Sequence, residues 1–248
     1  MRTATASGNR MIVTLHHLQG ERNPVAVLEY PARRPRGVSL VAGHGYSSSK
    51  HNLDFLCNFL AGHGYAVYSL DFPGHKLGAS EGTLRGVDDL LDAMRTAVTF
   101  ARSKSKDRVY LLGHSMGAMT ALLLAADDPS IAGTIAVTTG YGRPSALDAR
   151  AGKGVTDFRS GYVDGVSLPE LVRDADARFA AALPRLQGRP QLYVAANRDA
   201  MVSPRSVEEL YERAYEPKDF VLIESDHTNA GENARGEVLQ WLNARHPR

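Results

Sequence analysis

Apolar and polar positions along this chain change period in a regular rhythm. Residues 11–18 and 24–30 are extended stretches separated by the turn-like Gln19-Gly-Glu-Arg-Asn23, which predicts an antiparallel hairpin. Residues 37–42 form a short apolar strand. Leu53, Leu56, Phe59 and Leu60 then recur at helical spacing across 52–61, and Gly62 and Gly64 end that helix. The unit repeats: strand 65–70, helix 87–102, strand 108–112, an Ala- and Leu-rich helix 116–126, and strands 131–138 and 191–196. Helix 202–215, strand 220–224 and a closing helix 231–243 complete it. Apolar strands alternating with helices predict an α/β fold, a mostly parallel eight-stranded sheet with helices on both faces. Residues 142–190 break the rhythm. They are charged and glycine-containing, with one clear helix at 169–182, and are expected to form a short lid inserted into a single domain spanning 1–248. The arginines of this insertion (Arg143, Arg150, Arg159, Arg173, Arg178) interleave with Asp148, Asp157, Asp164, Asp174 and Asp176. That pattern predicts a solvated surface rather than a site for an acidic substrate.

Composition adds exclusions rather than a function. The 248 residues are 43% hydrophobic and 23% charged, enough apolar material for a full core and too much for a disordered chain. Lys plus Arg (29) nearly balance Asp plus Glu (27), which gives no electrostatic reason to expect nucleic acid. The lone cysteine, Cys57, can form no intrachain disulfide and sits in an apolar stretch as a small buried side chain. The first ten residues lack the apolar segment of a signal peptide, and no run approaches the ~18 apolar residues of a membrane span. The expectation is a cytoplasmic protein.

The chemistry gathers at strand ends. Gly113-His-Ser-Met-Gly117 has the G-x-S-x-G form, entered from a strand and left by a helix, as a nucleophile elbow requires. Small residues two places either side of the serine relieve crowding on the sharp turn, and the following helix N-terminus favours developing negative charge. A serine hydroxyl needs a base, and the base an orienting acid. Beyond residue 117 the histidines are His227, in the loop after strand 220–224, and His246, in the charged tail; His227 is the credible base. Asp199 follows strand 191–196 and is the favoured acid. Asp226, its competitor, adjoins His227 and is poorly placed to receive an Nδ1 hydrogen bond. An oxyanion needs two donors: the backbone N–H of Met116, and one from the loop Gly43-His-Gly-Tyr-Ser47, where Tyr46 N–H is the candidate. His44 is expected to brace that loop. No metal or cofactor is implied: H-E-x-x-H and EF-hand patterns do not occur, His16 and His17 face opposite sides of a strand, and Gly43-x-Gly45 is followed by Ser48 where a dinucleotide fingerprint wants glycine.

Together, Gly43-His-Gly-Tyr46, Asp71-Phe-Pro-Gly-His-Lys-Leu-Gly-Ala-Ser80, Gly113-His-Ser-Met-Gly117, Asp199 with Val202 and Pro204, and Asp226-His227 resemble the α/β-hydrolase superfamily. They are most similar to its branch of monoglyceride-lipase-like esterases and serine aminopeptidases, over residues 24–245. The resemblance implies the α/β-hydrolase fold, with Ser115, Asp199 and His227 corresponding to the triad and Tyr46 and Met116 to the oxyanion amides. It makes Asp71 and Gly74 structural residues of a loop beside the site. It implies a serine hydrolase of carboxylesterase type whose partner is a small-molecule acyl ester. The segment 142–190 is short for a lipase lid, which points to small or medium acyl groups. The same triad serves a thioesterase, a lactonase or a peptidase. A non-catalytic ligand-binding protein on this fold is the reading from another class, but such proteins typically lose a triad member and this chain retains all three.

Overall fold

A computed structural model describes residues 12–142 and 158–247 of the chain. Its strands are β1 (Thr14–Gln19), β2 (Pro24–Tyr30), β3 (Val38–Gly43), β4 (Ala66–Leu70), β5 (Arg108–His114), β6 (Gly133–Val137), β7 (Gln191–Ala196) and β8 (Lys218–Ile223). Its helices are α1 (Asp54–Gly62), α2 (Val87–Lys104), α3 (Met116–Asp127), α4 (Leu168–Ala182), α5 (Pro204–Arg213), α6 (Ala230–Asn233) and α7 (Arg235–Arg245). The eight strands make one sheet in the order β1-β2-β4-β3-β5-β6-β7-β8. β2 runs antiparallel to both its neighbours, and every pairing from β4 through β8 is parallel. This is the expected α/β-hydrolase fold.

Strand alternation divides the core into two layers. Val41, Val109, Leu111, Tyr193 and Ala195 face the layer built with α2, α3, α4 and α5. Their chain neighbours Leu40, Ala42, Tyr110, Leu112, Leu192 and Val194 face the layer built with α1, α6 and α7. Because β3, β5, β6 and β7 are covered on both sides, all their positions are buried apart from Arg108, and the sequence reads as continuous apolar runs. β1, at the sheet edge, alternates exposed and half-buried positions instead. Helix α3 is buried around its whole circumference, from Met116 to Ala126, which explains an Ala/Leu composition without an amphipathic stripe.

Several boundaries move from their expected positions. β1 begins at Thr14, and Met11 lies outside the described residues. Helix α5 starts two residues late because Ser203 caps it, its Oγ accepting the Ser206 N–H at 3.2 Å, with Pro204 in the first turn. The expected closing helix is two helices broken at Ala234.

Of the segment 142–190, residues 143–157 lie outside the described residues, with Arg143, Arg150, Asp148 and Asp157 among them. The remainder is tied to the body of the fold. His75 and Leu84 form isolated bridges with Val163 and Gly165, and Leu84 N–H donates to Asp164 O at 2.9 Å. Helix α4 is opened by a capping box between Ser167 and Glu170. It buries Leu171, Val172, Ala175 and Phe179 in the α2–α3 layer. On its outer side Arg178 pairs with Asp174 and Asp88, while Asp164 pairs with Lys76.

Candidate active site

Parallel register brings the loops after β3, β5, β6, β7 and β8 to one edge of the sheet; Gly43 is opposite Gly113, and His114 opposite Val137. Ser115 stands at the junction of β5 and α3 with φ 54° and ψ −112°, a backbone that side chains rarely adopt. Ser47 (φ 57°), in the loop after β3, and Thr138 (φ 49°), directly after β6, hold the same unfavourable sign at this edge. Both glycines of the elbow are compulsory. A Cβ on Gly113 would collide with the backbone of Gly117 and Ala118, and one on Gly117 with the carbonyls of Gly43 and His44. Ser115 N–H donates to Val137 O at 2.8 Å, and Ser115 O accepts from the Ala118 and Met119 amides at 3.1 Å. Met116 opens α3, so its N–H has no acceptor within the helix.

His227 and Asp199 meet from adjacent loops. His227 Nδ1–H donates to Asp199 Oδ2 at 2.7 Å, which leaves Nε2 as the ring's free base. Asp199 Oδ1 accepts the Met201 and Val202 amides at 2.8 and 2.7 Å. Burial alone would raise the Asp199 carboxyl, but the His227 bond and these amides outweigh it and hold the group below the usual carboxylate range. Asp226 is engaged elsewhere: it is exposed and accepts the Asn229 N–H at 2.9 Å and its side-chain amide. His246 lies apart from this cluster, bonded to the Tyr110 hydroxyl at 3.0 Å. Among the described residues no hydrogen bond joins Ser115 Oγ to His227 Nε2; the elbow reaches the His227 loop through its neighbour. His114 Nε2–H donates to the carbonyl of His227 at 2.8 Å, and the two rings lie 4.9 Å apart.

The loop bearing Tyr46 is held from beneath. His44 is fully buried; its Nδ1–H donates to Gly45 O at 2.8 Å while Nε2 accepts the Phe72 N–H at 3.0 Å. The ring is therefore neutral, and its 3.8 Å approach to Asp71 Oδ1 is not an ion pair. Burial first, and the neighbouring His75 second, push the His44 pKa down. Lys50, 2% exposed, brings its ammonium to Asp71 Oδ2 and its backbone N–H to Oδ1 at 2.7 Å, while Ala79 N–H binds Oδ2 at 2.7 Å. Burial would raise Asp71, yet the Lys50 ammonium and these amides keep it below the ordinary carboxylate range. The Tyr46 hydroxyl donates to Val166 O at 3.2 Å, connecting this loop to the segment before α4.

Three of these partners escape sequence reasoning. The buried Lys50 has no local signal, because a loop lysine reads as solvated. The contacts of His114 and Val166 span more than a hundred residues. Cys57 is buried as expected, and burial pushes its thiol up to about 12, leaving it unreactive. Among the described residues no cluster of three or more His, Cys, Asp or Glu could hold a metal, and no helix is long and apolar enough to cross a membrane. A cavity of about 380 Å³ lies on the Asp199 side of the cluster, lined in part by Tyr141, Asp199, Met201, Val202 and Ser203.

Residues 33–163 match the family profile described as serine aminopeptidase, S33. The human monoglyceride lipase is 34% identical over 103 residues, 40% of this chain and 33% of that protein. A monkeypox virus monoglyceride lipase homolog is 31% identical over 105 residues, 41% of this chain and 37% of that protein. The chain thus matches about a third of the length of these curated relatives. Among solved structures, an esterase from Pyrococcus furiosus superposes with a TM-score of 0.72 at 17% identity, covering 95% of this chain and 92% of its own. Est1E from Butyrivibrio proteoclasticus, with ferulic acid bound, gives 0.73 at 18%, covering 94% and 100%. A monoacylglycerol lipase from Paleococcus ferrophilus gives 0.69 at 20%, covering 89% and 98%. These likenesses concern the fold.

Proposed function

The chain belongs to the serine aminopeptidase, S33, family of α/β-hydrolases, and from that premise we propose that it is a serine esterase acting on small or medium acyl esters. The observation that carries this reading is the buried Asp199–His227 pair at the same sheet edge as a strained serine elbow. In the proposed reaction His227 Nε2 removes the proton of Ser115 Oγ, which adds to the substrate carbonyl. The oxyanion accepts hydrogen bonds from the Tyr46 and Met116 amides. The C–O bond to the alcohol then breaks, the alcohol leaving with the proton from His227. Water, deprotonated by the same imidazole, attacks the acyl-enzyme, and Ser115 recovers its proton as the acid departs. Asp199 stays ionised throughout and stabilises the imidazolium. The same reading takes residues 1–248 as one domain in which 142–190 is a small insertion; its helix α4 belongs to the core layer, and any lid over the acyl site would fall to residues 143–157, which lie outside the described residues.

The names of the relatives, monoglyceride lipase and esterase, favour a carboxylic ester over the other acyl donors this triad can serve. The family description supports a second reading, a peptidase removing N-terminal residues. Intact mass after reaction with a fluorophosphonate, followed by turnover of p-nitrophenyl esters of rising chain length and of amino-acid p-nitroanilides, tests both. Expected are one adduct, lost in Ser115→Ala, and ester turnover that falls by at least roughly 10³-fold in Ser115→Ala and His227→Ala. An unlabelled folded protein would overturn the hydrolase reading in favour of a ligand-binding protein. Anilide cleavage exceeding ester cleavage would replace the esterase by the peptidase.

A further inference from the structure

His227 must reach far from its own strand. It follows β8, and β6 and β7 lie between that strand and β5, which carries the serine. At ~4.8 Å per strand the separation is about 14 Å. The loop after β8 must cover much of that distance and still present an imidazole in one orientation. Asp199 fixes the ring from the β7 side by its bond to Nδ1, 2.7 Å long. That bond holds the ring but not the backbone from which it hangs; on either side of His227 the loop is anchored at Ser225, whose N–H donates to Asn197 Oδ1 at 3.2 Å, and at Asn229, whose N–H donates to Asp226 Oδ1 at 2.9 Å.

The peptide of His227 itself is held by the residue before the nucleophile. His114 is 4% exposed, and its Nε2–H donates to the carbonyl oxygen of His227 itself at 2.8 Å. Its ring lies 4.9 Å from the His227 ring at an interplanar angle of 48°. Its other edge lies against the glycine of the Tyr46 loop, where a Cβ on Gly45 would stand 3.1 Å from Nδ1. One side chain at the end of the nucleophile's strand thus meets both the base's backbone and the loop of the candidate oxyanion amide.

We infer that His114 is the positioning residue for the base, tethering the tip of the β8 loop so that His227 Nε2 is directed at Ser115. The inference rests on the serine-hydrolase reading above. Without the tether, His227 keeps its bond to Asp199 and its loop keeps the anchors at Ser225 and Asn229, but the peptide carrying the ring loses its own restraint, and the productive orientation is populated only part of the time. Substrate binding is untouched, so the loss falls on kcat rather than KM.

His114→Met and His114→Gln test this as a pair of nearly equal shape, since glutamine keeps an N–H donor at the position of Nε2 and methionine does not. Each is compared with the wild type for fluorophosphonate labelling rate, kcat and KM on p-nitrophenyl acetate, and thermal unfolding. The methionine variant is expected to lose kcat and labelling rate together, by roughly ten- to a hundredfold, with KM unchanged. The glutamine variant is expected to recover to within roughly threefold of wild type. Equal losses in the two variants, or a methionine variant of wild-type activity, overturn the assignment to His114 while leaving the hydrolase reading intact. A wild type that takes no label overturns the reading on which the assignment rests. If the methionine variant does not fold, a glutamine variant that folds but is as slow as His114→Ala also overturns it.

Discussion

Ser115 carries its side chain on a backbone better suited to glycine, with φ 54° between an apolar strand and an apolar helix. The surroundings hold that conformation: the Val137 carbonyl accepts its amide, and the turn brings Gly113 against the backbone of Gly117 and Ala118 too closely for any side chain. A non-glycine residue so placed stores on the order of 1–3 kcal/mol. Ser115→Gly is therefore expected to be more stable than Ser115→Ala by about 1 kcal/mol, after the greater flexibility of the unfolded glycine chain is counted. Urea midpoints of the two variants measure this, and coincident curves would mean that the elbow stores no strain. At this scale the serine turn with its glycines and the candidate pair of His227 with Asp199 were legible in the sequence, because each is suggested by local geometry or by elimination. Lys50 and His114 were not. Their burial depends on Asp71 and on the His227 carbonyl, neither adjacent in the chain.

The helix that interrupts the rhythm of the sequence, α4, shows how an element's role is set by what covers it. Periodicity alone marks a helix at 169–182 and cannot distinguish a cap from a core layer. In the structure Phe179 is 1% exposed and belongs with Leu171, Val172 and Ala175 to the layer shared with α2 and α3. Phe179→Ala should accordingly destabilise the protein by about 3 kcal/mol or more, as for a large-to-small change in a core. A loss within about 1 kcal/mol in denaturant titration would instead indicate a helix that lifts away from the body. Element boundaries moved where caps decide them, as Ser203 does for α5. The break at Ala234 had no counterpart in the pattern of residues.

Acid sensitivity belongs to the molecule as a whole. Burial lowers the His44 and His75 pKa values, so both rings are neutral in the fold and take up protons more readily once unfolded. Their contribution to stability is complete above the unfolded value of about 6.5 and is lost as pH falls toward their folded values. Asp71, Asp89, Asp128 and Asp199 are likewise held below the ordinary carboxylate range, against burial, by basic partners or donated hydrogen bonds. Their contribution is complete above about pH 4 and is lost as pH falls through the folded values. Stability is expected to be level from pH 7 to 8, to decline gently below about 6.5 and steeply below about 4. Urea midpoints between pH 8 and 3 would show it, with the gentle decline reduced in His75→Gln. A midpoint unchanged down to pH 3 would contradict the assignment of these groups.

The order of residues by itself determined the two periods, the glycine-flanked elbow and the succession Ser115, Asp199, His227. Each of these follows from covalent geometry over a few residues or from counting along the chain. Only the tertiary structure decided that β3 lies between β4 and β5, that a lysine is buried against Asp71, and that His114 meets the backbone of His227. The physical reason is that a parallel sheet places its strands by crossover connections, whose far ends are set by the packing of both layers at once. Groups that meet at the sheet's carboxyl edge are neighbours through that packing and carry no mark of it in the chain.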